Sequence, residues 1–185
     1  MIDEIQTEAK TGMEKAVAHA IDEFASIRTG RANPSLFSNL LVEYYGTPTP
    51  LNQLASFQNP EARMLLITPY DRSALGDIEK ALRNSDVGAN PANDGNVIRV
   101  VMPELTEERR RDYVKIVHSK AEDGRISIRS IRRTAKEAIE KLVKDGEIGE
   151  DEGKRAEKEL DAQTKKATDQ VDAAAKNKEA ELLQV

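Results

Sequence analysis

Arg125, Arg129, Arg132, Arg133 and Lys136 fall within twelve residues that contain no Asp or Glu. Four of these five cations are guanidinium groups, whose planar forks suit phosphate oxygens and base edges better than an ammonium does. The chemistry that such a set supports is binding of a polyanion. Local pairing reaches only the edges of the run: Glu122 is within helical reach of Arg125, and Glu137 of Arg133 and Lys141. The middle is expected to be uncompensated. The competing reading is a solvated helix face with no partner.

Other reactive side chains are sparse. His19 and His118 lie in different segments without metal-ligand neighbours, and each reads as a surface histidine. The Glu150, Asp151 and Glu152 carboxylates suit a helix start better than acid/base work. No phosphate-cradling glycine loop occurs, so any nucleotide energy must come from a partner. Tyr44, Tyr45 and Tyr70 could stack on bases, but packing inside a small module is the expected use. These observations point away from an enzyme, and no cofactor or metal is expected.

The elements that must position the cations are legible from periodicity. Val114, Val117, Ala121, Gly124, Ile128, Ile131, Ala135, Ala138 and Leu142 alternate steps of three and four, the seam of one long helix over residues 105–143. One position further on, Lys115, His118, Glu122, Arg125, Arg129, Arg132 and Lys136 form a second line about 100° around that helix. Residues 2–27 repeat the pattern through Ile2, Ile5, Ala9, Met13, Val17, Ala20, Phe24 and Ile27. A last helix, ending near Leu183, has a thin seam of Ala156, Leu160, Ala167, Val171, Ala174 and Leu182. Three such helices are needed to close one core.

Charge is unevenly spread. The net value is −5, yet residues 105–144 carry 12 Lys or Arg against 7 Asp or Glu, and residues 145–185 carry 7 against 12. A global excess of acid therefore conceals a basic helix. No cysteine is present, no run approaches a membrane span and no signal-peptide pattern opens the chain, so a cytoplasmic location without membrane contact is expected.

Between residues 35 and 102 the period changes. Segments 40–45, 54–57, 63–68 and 97–101 read as short strands and 71–84 as a helix, with Asp71 or Ser73 as its cap. Asn90-Pro91 and Asn93-Asp94-Gly95 read as turns. Gly30 and Pro34 end the first helix, and residues 101–105 form the return linker ahead of Thr106, a capping hydroxyl. The expected class is α+β: a discontinuous three-helix bundle of residues 1–30 and 105–185, with an inserted small α/β, sandwich-like domain of residues 31–104. Two linkers between the same domains would act as a hinge that permits bending more than twisting.

Several separate blocks carry a resemblance. They are Arg28-Thr29-Gly30-Arg31-Ala32 with Pro34, Glu43-Tyr44-Tyr45-Gly46-Thr47-Pro48, Gln53-Leu54-Ala55-Ser56, Asn84-Ser85-Asp86, Leu105-Thr106-Glu107-Glu108-Arg109-Arg110, Ile128-Arg129 with Ile131-Arg132-Arg133, and Lys178-Glu179. Over essentially its whole length the chain resembles the bacterial ribosome recycling factors. That resemblance implies an L-shaped monomer that binds the 70S ribosome after termination. With elongation factor G and GTP hydrolysis by that partner, it would release messenger and deacylated transfer RNA and split the subunits. It implies that Arg129 and Arg132 meet large-subunit ribosomal RNA, with Arg125 and Arg133 on the same helix and Arg28, Arg31 and Arg110 nearby, and that Gly30, Arg31, Pro103 and Glu104 form the hinge. Ser130 and Thr134 stand where the family pattern has Asn and Asp, and Gly124 interrupts a helix interior at a cost of about 1 kcal/mol relative to Ala. The alternative function is a cytosolic coiled-coil adaptor that binds no RNA.

Overall fold

The computed structural model describes residues 1–86 and 89–184. These form two compact units, one of residues 1–24 with 112–185 and the other of residues 25–111. The chain passes from one to the other between Phe24 and Ala25, and returns between Arg111 and Asp112.

Three helices make the first unit: α1 (Ile2–Ala25), α3 (Glu107–Lys144) and α4 (Glu150–Leu183), α3 beginning in the other unit. Thr106 caps α3, its Oγ1 accepting the Arg109 amide at 3.2 Å, and Glu107 and Glu108 complement the helix dipole. After α3 the chain reverses through Gly146, at φ 72°, a left-handed backbone that glycine adopts without the Cβ penalty. Acidic Glu150, Asp151 and Glu152 then open α4.

The expected seams supply the core. Ala9, Met13, Val17, Ala20 and Phe24 of α1 are buried, with Val117, Ala121, Ile128 and Ala135 of α3 and Ala156, Leu160, Ala167, Val171 and Leu182 of α4. Several seam positions, Ile2, Ile5, Val114 and Ile131 among them, are half-buried. Toward the end of α3 the buried residue is Ile139, while Ala138 and Leu142 are half-buried; in α4 it is Ala175 in place of Ala174. A straight helix turns 100° per residue, so a strict seven-residue repeat drifts about 20° per heptad. Gly124 has a packing reason. A Cβ there would lie 3.3 Å from the Ala20 Cβ and 3.5 Å from Val171 Cγ1, so α1 and α4 both close on α3 at this point.

The second unit contains β1 (Leu41–Tyr44), β2 (Thr47–Pro50), β3 (Ala55–Glu61), β4 (Met64–Pro69), α2 (Leu75–Arg83), β5 (Asn90–Asn93) and β6 (Ile98–Val101). β1 and β2 form a hairpin, and the others an antiparallel sheet in the order β3-β4-β6-β5. Phe37, Val42, Leu51, Leu65, Ile67, Ile78, Leu82, Ile98, Val100 and Met102 fill its core. β2 and β5 were not expected, and the Asn90-Pro91 turn is corrected to strand. Their prolines, Pro48, Pro50 and Pro91, argue against strands, yet each element pairs on one side only, where a missing N–H is tolerated.

The hairpin turns at Tyr45 and Gly46, with φ 47° and 78°, the two-residue arrangement whose twist matches its strands. Packing of the tyrosines inside the module is also corrected. Tyr45 and Tyr70 are 79% and 71% exposed, and only Tyr44 is half-buried. The Tyr44 hydroxyl donates to Asp71 Oδ2 at 2.8 Å, while Asp71 Oδ1 accepts the Ser73 amide and hydroxyl at 2.9 and 2.7 Å. Asp71 thus caps the 3-10 turn that leads into α2 and ties it to the hairpin.

Candidate nucleic-acid interface

α3 divides its cations between two directions. Arg125 and Arg132 turn toward α4, whereas Arg129 and Arg133 lie about 40° and 80° around the helix from Arg125. The uncompensated ridge expected from local sequence is therefore corrected. Arg125 donates through Nε to Glu122 Oε2 at 2.9 Å and through Nη1 to Asp172 Oδ1 at 2.5 Å. Arg132 places Nε at 2.8 Å and Nη2 at 2.7 Å from Asp161 Oδ1. Arg129 Nη2 donates to Glu122 Oε1 at 3.2 Å, and Lys136 lies 3.6 Å from Glu140. His118 Nε2 is 3.1 Å from Glu179.

His118, Arg125 and Arg132 recur every seven residues, and each meets a carboxylate of the antiparallel α4. This is the charged flank of a coiled-coil-like seam. Asp161 and Asp172 lie on another helix, so pairing within α3 does not reveal them. The heptad spacing of the α3 line and the spacing of Asp161, Asp172 and Glu179 were the available signal.

Burial grades these cations. Arg125 is 27% exposed and held from both sides; burial works against its charge, but hydrogen bonds to Glu122 and Asp172 more than offset this and raise its pKa. The same contacts lower the Glu122 pKa, chiefly through the Arg125 hydrogen bond. Arg132 is 38% and Arg129 56% exposed. Arg133 is exposed and makes no ion pair among the described residues; the expected Glu137 contact is not formed. Ile126, 53% exposed, shares the Arg129–Arg133 side of the helix. The groove beside Ser130 and Thr134 is lined by Ile5, Ala9, Gly12, Ile131 and Ala135, with a volume of about 300 Å³.

The remaining expected site residues belong to the other unit. Arg28 Nη2 donates to the Pro103 carbonyl at 3.0 Å, and the Nε atoms of Arg28 and Arg110 are buried without hydrogen-bond partners. Both side chains are half-buried, whereas Arg31 is exposed. Gly30 has φ 81°, and Glu104 lies 3.5 Å from Arg63. Among the described residues no cluster of His, Cys, Asp or Glu could hold a metal ion, and no helix is long and apolar enough to cross a membrane.

The fold defines a class: α+β proteins in which a long three-helix bundle is interrupted by a small antiparallel-sheet unit. Residues 20–183 match the family model described as Ribosome recycling factor. The ribosome-recycling factor of Kocuria rhizophila is 75% identical over 183 residues, 99% of either chain, and that of Renibacterium salmoninarum 68% identical over 185 residues, the whole of both. The fold is similar to a solution structure of the ribosome recycling factor, with TM-score 0.83 and 41% identity over 100% of this chain and 98% of that one. It is also similar, with TM-score 0.72 and 43% identity over the full length of both, to a chain in models for the T. thermophilus ribosome recycling factor and the E. coli elongation factor G bound to the E. coli post-termination complex. The chain belongs to the ribosome recycling factor family, and is a translation factor of protein biosynthesis.

Proposed function

We propose that this chain docks on the post-termination 70S ribosome through the arginine side of α3 and acts there with elongation factor G. Messenger and deacylated transfer RNA would leave and the subunits would part, the energy coming from GTP hydrolysis by the partner. The observation that carries this reading is full-length likeness to a chain in models for a ribosome recycling factor and elongation factor G bound to a post-termination complex. Arg129 and Arg133 lead the contact with large-subunit ribosomal RNA, because their guanidinium groups are more open than those of Arg125 and Arg132. Arg132 joins them by exchanging its exposed aspartate for phosphate. Arg125 is clamped and supports the bundle, as half-buried Arg28 and Arg110 support the other unit; Arg31 adds an exposed charge there.

As moving domains, residues 1–30 with 105–185 pair against residues 31–104, hinged at Gly30, Arg31, Pro103 and Glu104; this puts Arg28 and Arg110 on the bundle side of the hinge although they pack within the compact unit of residues 25–111. The positive φ of Gly30 supports that assignment, since it marks a backbone state other residues resist. The factor works as a cytoplasmic monomer with no cofactor of its own.

The test is cosedimentation with 70S ribosomes across a salt series, followed by a splitting assay with elongation factor G. Each phosphate neutralised contributes nearly one power of salt dependence, so Arg129→Ala with Arg133→Ala should flatten the slope by between one and two and abolish recycling. Wild-type binding and turnover in that double variant would refute the RNA face. The interhelical ion-pair flank favours a second reading, a coiled-coil adaptor whose arginines serve the bundle alone; it requires no ribosome cosedimentation even at low salt.

A further inference from the structure

Asp161 occupies the place on Arg132 that a phosphate would take. A single oxygen, Oδ1, accepts from both Nε and Nη2, and neither partner is sealed: Arg132 is 38% and Asp161 57% exposed. The contrast with Arg125, gripped by Glu122 and Asp172 on two sides, is one of exchangeability. An exposed ion pair is weak enough for an RNA phosphate to displace, yet it holds the guanidinium in one orientation beforehand.

We propose that Asp161 acts as a built-in competitor for phosphate, masking Arg132 until an RNA surface already engages Arg129 and Arg133. This rests on the α3 face being the RNA contact. Scattered polyanions that offer one phosphate at a time meet a carboxylate already seated on Arg132, together with its repulsion. A surface that satisfies Arg129 and Arg133 first brings its next phosphate to Arg132 at high effective concentration, and the aspartate yields. The cost of breaking the pair falls on every complex in which Arg132 takes a phosphate, so Asp161 sets how tightly the α3 face holds its RNA.

The experiment compares the wild-type full chain, Asp161→Asn, Arg132→Ala and the double variant. A non-ribosomal single-stranded RNA and 70S ribosomes are each titrated over a salt series. Asparagine preserves shape and removes charge. Exposed ion pairs are worth factors of about 1.4 to 5, so Asp161→Asn should tighten binding to the non-ribosomal RNA about twofold to fivefold at low salt. Its salt slope should steepen by about 0.7, the single-strand value per phosphate. Ribosome binding should tighten by at least as large a factor, and both gains should vanish when Arg132 is Ala. Unchanged or weaker RNA binding overturns the proposal, as does a gain that persists without Arg132, which would mark a general charge effect. Failure of Arg129→Ala with Arg133→Ala to weaken ribosome binding would instead overturn the underlying face assignment.

Discussion

Gly153 lies in the first turns of α4, buried against the end of α3, and a Cβ built there would come within 2.6 Å of Val143 Cγ2. Gly153→Ala sets two effects against each other. Helix propensity favours alanine by at most about 1 kcal/mol. Forcing a methyl into a filled site costs about 1–3 kcal/mol, and Val143 is β-branched and helical, so it has essentially one χ1 rotamer and little freedom to withdraw. The net expectation is destabilisation of up to about 2 kcal/mol. For a chain of this size that corresponds to a fall in Tm of up to about 8 °C, read from the loss of helical circular dichroism. Val143→Ala removes the obstructing methyl. In that background the glycine substitution should be neutral or stabilising, with a coupling of about 0.5–3 kcal/mol between the two sites. A higher Tm for Gly153→Ala in the otherwise unaltered chain would refute the packing argument.

Lys178 is buried in the α4 seam with Glu181, 3.7 Å away, as its one ion-pair partner among the described residues, and burial lowers its pKa. A lysine charge penalised in the folded state costs stability below that lowered pKa, and stability should rise with pH between it and the ordinary lysine value. Lys178→Met, which keeps the stem and removes the charge, should raise Tm at neutral pH; a fall would show that the ammonium is a net stabiliser. In the sheet unit the Asp71 pKa is held below the ordinary carboxylate value, first by the Ser73 hydroxyl, then by the Ser73 amide and the Tyr44 hydroxyl. Its contribution is present above the unfolded value and lost as pH falls through the depressed folded one. Asp71→Asn should therefore lower tyrosine-monitored Tm at pH 7 more than at pH 2, and an equal drop at both would refute the charge-dependent part.

The helices were legible because their signal is local and repeated. Met13, Val17, Ala20 and Phe24, or Val117, Ala121 and Ile128, declare a buried stripe whatever lies opposite. The sheet unit was legible in part: LLVEYY and RMLLIT announce strands through composition, whereas TPTP and NPAN do not. Their being strands depends on having a partner on one edge only, a property of the neighbour. The exposure of Tyr45 has the same origin, since it follows from a two-residue turn whose position depends on the register of β1 and β2.

The residue types and their order determined that this chain builds three long amphipathic helices around an inserted module, and that one helix carries a surplus of guanidinium groups. The tertiary structure decided which of those groups are available. Asp161 is 29 residues from Arg132 and Asp172 is 47 from Arg125, so nothing in the neighbourhood of either arginine reports the pairing. Electrostatic energy depends on separation in space, and an antiparallel helix brings to hydrogen-bond distance charges that the chain itself keeps far apart.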